Sequence, residues 1–316
     1  MTLLSSRNNQ QLLAVSVPVE NANDARYRAM AGEFSGVVEL DLGDGVCTGA
    51  LLTSGEHVLT AAHCFEAEEY TGTPTYEPAA DKVRVIFHLA EGSQVIAAQT
   101  IHIHPNWKNL DGSNADLAII KLANPAPQTA ERYELYRGSA EVGQVFTRVG
   151  FGTRSNGTQG EVSPEKDDAV PIMRFGQNRY DALGEIFNEA DTPPESYVEP
   201  GEQLAYDFDD GTPEHDAFGV EFALPDLGLG DQEIGASTGD SGGPAFIDGQ
   251  IAGVASTGLS PYEIGVDVTE PNDTSVGEYF TDSRVAAFAD YIDQVVAGIP
   301  PPIPVSVSDG GMAAMP

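Results

Sequence analysis

Apolar residues in this chain arrive in short runs separated by turn residues, as in "SGVVELDLGDG" and "DGQIAGVASTG". Thirty-four glycines and 21 prolines punctuate the 316 residues, and long helical periodicities are scarce. Such a pattern implies strands joined by tight turns, hence an all-β barrel or sandwich. The length suffices for a large core, in one domain or two similar halves.

Strand-like segments begin at GVVELDL (36–42) and continue through GALLTSG and HVLTAAH. KVRVIFHLA (82–90), QVIAAQTIHIHP (94–105) and ADLAIIKLA (115–123) follow. PAPQTAERYELYRGSAEVG (125–143) reads as a crossover to a second half, which opens with QVFTRVGFGT (144–153) and includes DGQIAGVAS (248–256). Residues 154–235 are acidic and rich in Gly and Pro, and read as surface insertions. One segment, 283–298, keeps the helical period through Val285, Phe288, Ala289, Ile292, Val295 and Val296, which predicts a C-terminal helix. Residues 1–32 read as a leader or propeptide, and 299–316 as a flexible tail.

The net charge of −34 argues against nucleic acid or an anionic membrane as partner. No stretch is long and apolar enough to span a membrane, so no membrane insertion is expected. DFDDGTPEHD (207–216) places five acids in ten residues without the EF-hand spacing, an oxygen-rich setting in which calcium is an open question. His102 and His104 share a strand face but lack a third ligand, so no metal is assigned to them. Cys47 and Cys64 are the two cysteines; their spacing fits no short zinc pattern, and they can be a disulfide, part of a metal site, or free thiols.

Three segments carry chemistry. In TGDSGGPAF (238–246), Ser241 stands among glycines that permit a sharply bent backbone. A serine becomes a nucleophile only with a base to take its proton, a group to orient the base, and donors for the oxyanion. His63 in LTAAHCF is a base in a constrained setting. Asp116, heading the apolar run of NADLAIIKL, is an acid whose burial demands a partner such as a histidine N–H.

LTAAHC, DLAIIKL and GDSGGP, in this order, resemble the chymotrypsin/trypsin-like serine endopeptidases. The resemblance runs from about Gly32 to Val296 and is weak across 154–233. It implies two six-stranded antiparallel β-barrels, about 33–130 and 131–282, followed by an α-helix over about 283–298. It also implies Ser241 as nucleophile, His63 as base, Asp116 as its orienting acid, and the amides of Gly239 and Ser241 as oxyanion hole. The family's disulfide beside the histidine corresponds to Cys47 and Cys64. Asp240 corresponds to the acid that pairs with a new α-amino group after propeptide cleavage. No clear Ile-Val-Gly-Gly start is present, and the nearest candidate is cleavage after Arg28, exposing Ala29. Gly235, Ala236, Ser256 and Gly258 correspond to the substrate pocket, with Ser256 also reaching Asp116. Gly235 stands where the trypsin branch has an acid, so a neutral, small or apolar side chain is expected at the cleaved position. The resemblance implies protein or peptide substrates, no cofactor, and a secreted or periplasmic location, although the N-terminus is a poor signal peptide. The competing expectation is an inactive homologue that serves as a binding module.

Overall fold

A computed structural model describes residues 15–43, 45–65, 80–107, 114–162, 172–190, 197–261, 264–269 and 273–299. The expected tail beyond 299 and the first 14 residues lie outside this set. In chain order the strands are β1 (Ser16–Val17), β2 (Val37–Asp41), β3 (Val46–Leu51), β4 (His57–Thr60), β5 (Arg84–Leu89), β6 (Gly92–Ile103), β7 (Ala118–Leu122) and β8 (Val145–Gly150). They continue as β9 (Ser155–Asn156), β10 (Gly160–Glu161), β11 (Arg174–Arg179), β12 (Ala182–Leu183), β13 (Gln203–Asp207), β14 (Pro244–Ile247), β15 (Gln250–Leu259) and β16 (Tyr279–Arg284). A short helix α1 (Ala217–Phe222) and the C-terminal helix α2 (Val285–Val296) complete the regular structure.

The first half is a closed antiparallel barrel in the order β2-β3-β4-β7-β6-β5. Alternation along its strands explains the closure. Val38 and Leu40 on β2, Val85, Phe87 and Leu89 on β5, and Ala118, Ile120 and Leu122 on β7 all enter one interior cluster. Their neighbours on the opposite faces, among them Val37, Leu59 and Ile119, join a second cluster with Val149, Phe151, Val254 and the buried face of α2. The run LAII (117–120) is apolar throughout because this part of β7 is buried on both faces, one toward each half; Lys121 is only partly buried.

The second half is a seven-stranded sheet, β11-β8-β14-β15-β16-β13-β12, curved around Phe146, Tyr180, Leu204, Tyr206, Phe208 and Phe280. It has one strand more than expected, and its edges are β11 and the two-residue β12. Three of its strands, β11, β12 and β13, arise from the stretch read as surface insertion.

Part of the stretch read as a leader or propeptide, residues 1–32, is described here. Residues 15–28 pack onto the second half: β1 pairs with β9 in parallel, Ser16 bridges Gly235, and Arg28 bridges Arg174. Val15, Val17, Tyr27 and Ile234 form a buried cluster of their own. The helix α2 begins at Val285 and buries Val285, Phe288, Ala289, Ile292 and Val295, as its period predicts.

Candidate active site

His63 opens a 3-10 turn just after β4, Asp116 lies just before β7, and Ser241 lies just before β14. The strands that carry the first two are hydrogen-bonded neighbours, with Thr60 opposite Ala118. That pairing brings residues 63 and 116 together although 53 positions separate them. The His63 imidazole Nδ1 is 2.7 Å from Asp116 Oδ2, and the His63 backbone N–H donates to Asp116 Oδ1 at 2.9 Å. Ser256 on β15 donates its hydroxyl to Asp116 Oδ2 at 2.6 Å. Ser283 on β16 donates to the Asp116 carbonyl at 2.8 Å. The carboxylate is fully buried, while the imidazole keeps an exposed edge. Burial pushes the Asp116 pKa up, but the His63 charge and the hydrogen bonds from His63 and Ser256 outweigh it and hold it below the usual carboxylate value. An ionised, immobile acid therefore fixes Nδ1 of the ring as donor.

The loop with Ser241 is held from several sides. Thr48 on β3 donates its backbone N–H to the Ser241 carbonyl at 2.8 Å and its hydroxyl to the Gly239 carbonyl at 2.9 Å. The Phe151 amide donates to the same Thr48 hydroxyl at 3.1 Å. Gly242 donates to the carbonyl of Ala255, the neighbour of Ser256, at 2.8 Å. Cys47 and Cys64 form a disulfide, and Cys64 Sγ lies 3.7 Å from the Ser241 carbonyl oxygen. The residue after His63 therefore touches the residue proposed as nucleophile. Arg148, itself ion-paired to Asp282, donates to the Gly243 carbonyl at 3.1 Å.

Two glycines in this loop are dictated by space and dihedral. Gly239 has φ +97°, and a Cβ there would lie 2.9 Å from Gly152 Cα. Gly242 has φ +79°, and a Cβ would lie 2.0 Å from the Thr60 hydroxyl oxygen. Both conformations strain any L side chain. Among the described residues, neither the Gly239 amide nor the Ser241 amide has a protein acceptor, which leaves both free to donate to a ligand.

Asp240 points away from this edge and is fully buried. It accepts from the amides of Val15 (3.1 Å), Gly152 (3.0 Å) and Ser237 (2.9 Å), and from the Ser237 hydroxyl (3.1 Å). Burial raises its pKa despite those donors. Sequence reasoning missed Val15, and placed the possible new terminus at Ala29. The Ala29 amide instead donates to the Met173 carbonyl at 3.0 Å. The missed signal was the apolar alternation of AVSVPV, whose buried valines mark a segment that belongs to the fold.

Of the pocket residues, Gly235 is buried and exchanges two backbone hydrogen bonds with Ser16. A Cβ on Gly235 would lie 3.1 Å from atoms of the Phe208 and Phe280 rings. Gly258 faces the same Phe280 ring, and Ala236 packs on the cluster that contains it. His102 and His104 do not converge. His104 is buried edge-on against Phe288 and Tyr291, whereas His102 meets Thr100.

A family model described as Trypsin matches residues 25–180. Chymotrypsin-C of Rattus norvegicus is 40% identical over 79 residues, 25% of this chain. An ovochymase of Halocynthia roretzi is 33% identical over 100 residues, 31% of this chain and 6% of that protein. The chain spans only 27% of the length of the rat relative. An uncharacterized peptidase of Corynebacterium glutamicum is 26% identical over 291 residues, 88% of this chain and 82% of that protein. Barrel, disulfide, clamped acid and matched sequence agree, and the chain belongs to the trypsin-like serine peptidase family.

Proposed function

We propose that this chain is a serine endopeptidase that cleaves proteins or peptides through an acyl-enzyme on Ser241. The observation that carries the reading is the His63–Asp116–Ser256 network beside the glycine-bent loop of Ser241. Ser241 Oγ attacks the scissile carbonyl while His63 Nε2 takes its proton. The imidazolium so formed is stabilised by the Asp116 carboxylate, and then protonates the leaving amine. The amides of Gly239 and Ser241 donate to the oxyanion, where loss of one donor costs on the order of 10²–10³ in kcat. Water enters by the reverse sequence and releases the acyl group. Side chains and amides suffice for these steps, so the reading calls for no cofactor.

The pocket is read as selecting a small or apolar side chain. Gly235 contributes no carboxylate, and the Phe208 and Phe280 rings close in on it. Activation is read as cleavage between Ala14 and Val15 rather than after Arg28. Val15 already delivers its nitrogen to Asp240 and holds φ +49°, an unfavourable conformation for a β-branched residue. Cleavage removes that dihedral and turns the amide into an ammonium against a buried carboxylate. The disulfide supports an oxidising location outside the cytoplasm.

A fluorophosphonate probe tests the nucleophile: labelling of the wild type and none of Ser241→Ala is expected. An unlabelled, N-terminally processed wild type would favour the inactive binding homologue. N-terminal sequencing of labelled protein should return Val15, and full activity of uncut chain would refute the activation step. A peptide-library cleavage profile dominated by Lys or Arg would refute the pocket reading.

A further inference from the structure

Behind the Ser241 loop, the end of β13, the turn into α1 and the segment before Gly235 bring together four carboxylates that the peptidase reading does not use. Asp207, Asp209, Asp216 and Glu233 are all at most 3% exposed. Oxygens of Asp207, Asp209 and Asp216 lie within 4.8 Å of one another, the span that two ligands occupy across an ion with bonds of about 2.4 Å. Within this group the donors are backbone amides: Phe218 to Asp207 (3.0 Å), Gly219 to Asp216 (2.6 Å) and Leu229 to Glu233 (2.7 Å), with the amides of Ala217, Asp226 and Asp209 also acting on Asp207, Asp216 and Glu233 respectively. Asp209 Oδ1 and Glu233 Oε1 are buried with no hydrogen-bond partner. The charged groups that bear most on Asp209 are four other carboxylates, those of Asp207, Glu233, Asp216 and Asp181. Gly228 lies directly on Asp209 and Glu233, where a Cβ would come within 3.0 Å of both. Unpaired oxygens facing like charges inside a protein are a large cost unless a cation compensates them.

A second acidic group provides the contrast. Asp267, Asp273 and Glu278 also bring their oxygens within 4.8 Å. There, however, every carboxylate accepts from protein donors: Thr269, Ser260 and Ser275 for Asp267, the Thr269 hydroxyl for Asp273, and the amides of Asp273 and Thr274 for Glu278. That group is self-satisfied, whereas the first has oxygens left over.

We propose that Asp207, Asp209, Asp216 and Glu233 form a binding site for one calcium ion. An all-oxygen, all-carboxylate set selects a hard divalent cation over zinc or copper. A cage supplied mainly by protein suits calcium, whereas magnesium retains several of its waters. Water or main-chain carbonyls complete the six to eight oxygens that calcium takes. The ion joins β13, the N-terminus of α1 and residue 233; among the described contacts, the Phe218 amide ties α1 to Asp207, and the Asn178 amide donates to the carbonyls of Asp207 (2.7 Å) and Ile234 (2.9 Å).

Equilibrium dialysis of the full chain with radioactive calcium chloride, and thermal unfolding in calcium chloride, magnesium chloride or chelator, test the site. Wild type should gain roughly 5–10 °C at a hundredfold excess of calcium over Kd, and less with magnesium. Asp209→Asn and Glu233→Gln are near-isosteric and each removes a repelling charge, so both should fold and melt at or above wild type in chelator. Each should weaken calcium binding at least tenfold and lose most of the calcium-dependent gain, whereas Asp273→Asn should retain both. Wild type that binds no calcium at millimolar concentration, or Asp209→Asn and Glu233→Gln that bind it as wild type does, would overturn the proposal.

Discussion

Arg148 and Asp282 are both completely buried, and one guanidinium nitrogen lies 2.5 Å and 2.6 Å from the two carboxylate oxygens. The same nitrogen meets the Tyr206 hydroxyl at 3.1 Å, and the Tyr180 hydroxyl donates to Asp282. Burial works against the arginine's charge, but Asp282 and the two tyrosines raise its pKa above the ordinary guanidinium value. Asp282→Leu therefore leaves a buried cation with no carboxylate in contact, and Arg148→Met leaves a buried anion. Either change should cost about 3–5 kcal/mol, which corresponds to a fall of roughly 6–20 °C in Tm. The double variant Arg148→Met/Asp282→Leu leaves no unpaired charge, and should be no less stable than either single variant. Its coupling energy should be about 3 kcal/mol or more. Equilibrium urea unfolding of the four proteins measures the cycle. Single variants that cost under about 1 kcal/mol, or costs additive within about 0.5 kcal/mol, would refute the reasoning.

Asp116→Asn should keep the fold but lower kcat by about 10⁴ with little change in KM, because the amide stabilises the wrong tautomer of His63; steady-state kinetics on the best library peptide checks it. Replacing Cys47 and Cys64 by Ser reopens a loop of sequence separation 17 and should lower stability by about 3 kcal/mol in urea unfolding. Burial pushes the His104 pKa down to about 4, so between about 6.5 and 4 the unfolded chain takes up its proton before the folded one does. That proton uptake should remove about 3 kcal/mol of stability as pH falls through this window. In His104→Phe this part of the acid sensitivity should vanish, which the difference between urea midpoints at pH 7 and pH 4 measures.

The first half was legible in the sequence because its strands alternate or carry short apolar runs, so β2, β4, β5 and β7 are visible as patterns. The second half hid three strands. In β11, RFGQNR, a fully buried Arg174 and a nearly buried Asn178 face inward where pattern reading expects aliphatic side chains. β12 is two residues long, and β13, QLAYD, ends on a buried Asp207, so the acidic composition of 154–235 concealed core positions. His63 and Asp116 could be selected from their immediate neighbours, since a constrained imidazole and an acid heading an apolar strand each imply a partner. Val15 could not be connected to Asp240 in that way, because the two are 225 positions apart and joined by one hydrogen bond from a backbone amide to a side-chain carboxylate. The carboxylates at 207–216 stood out as a run, but Glu233 joins them only through tertiary packing.

The main chain of Ser241 rests on Thr48, a residue of the opposite barrel, and the Thr48 hydroxyl also receives the Phe151 amide. A jaw-like opening between the halves would tear these contacts and displace the hydroxyl of the proposed nucleophile along with them. Under the proposed peptidase activity, admission of a polypeptide thus falls to rim loops and side-chain rotations rather than to a parting of the two halves.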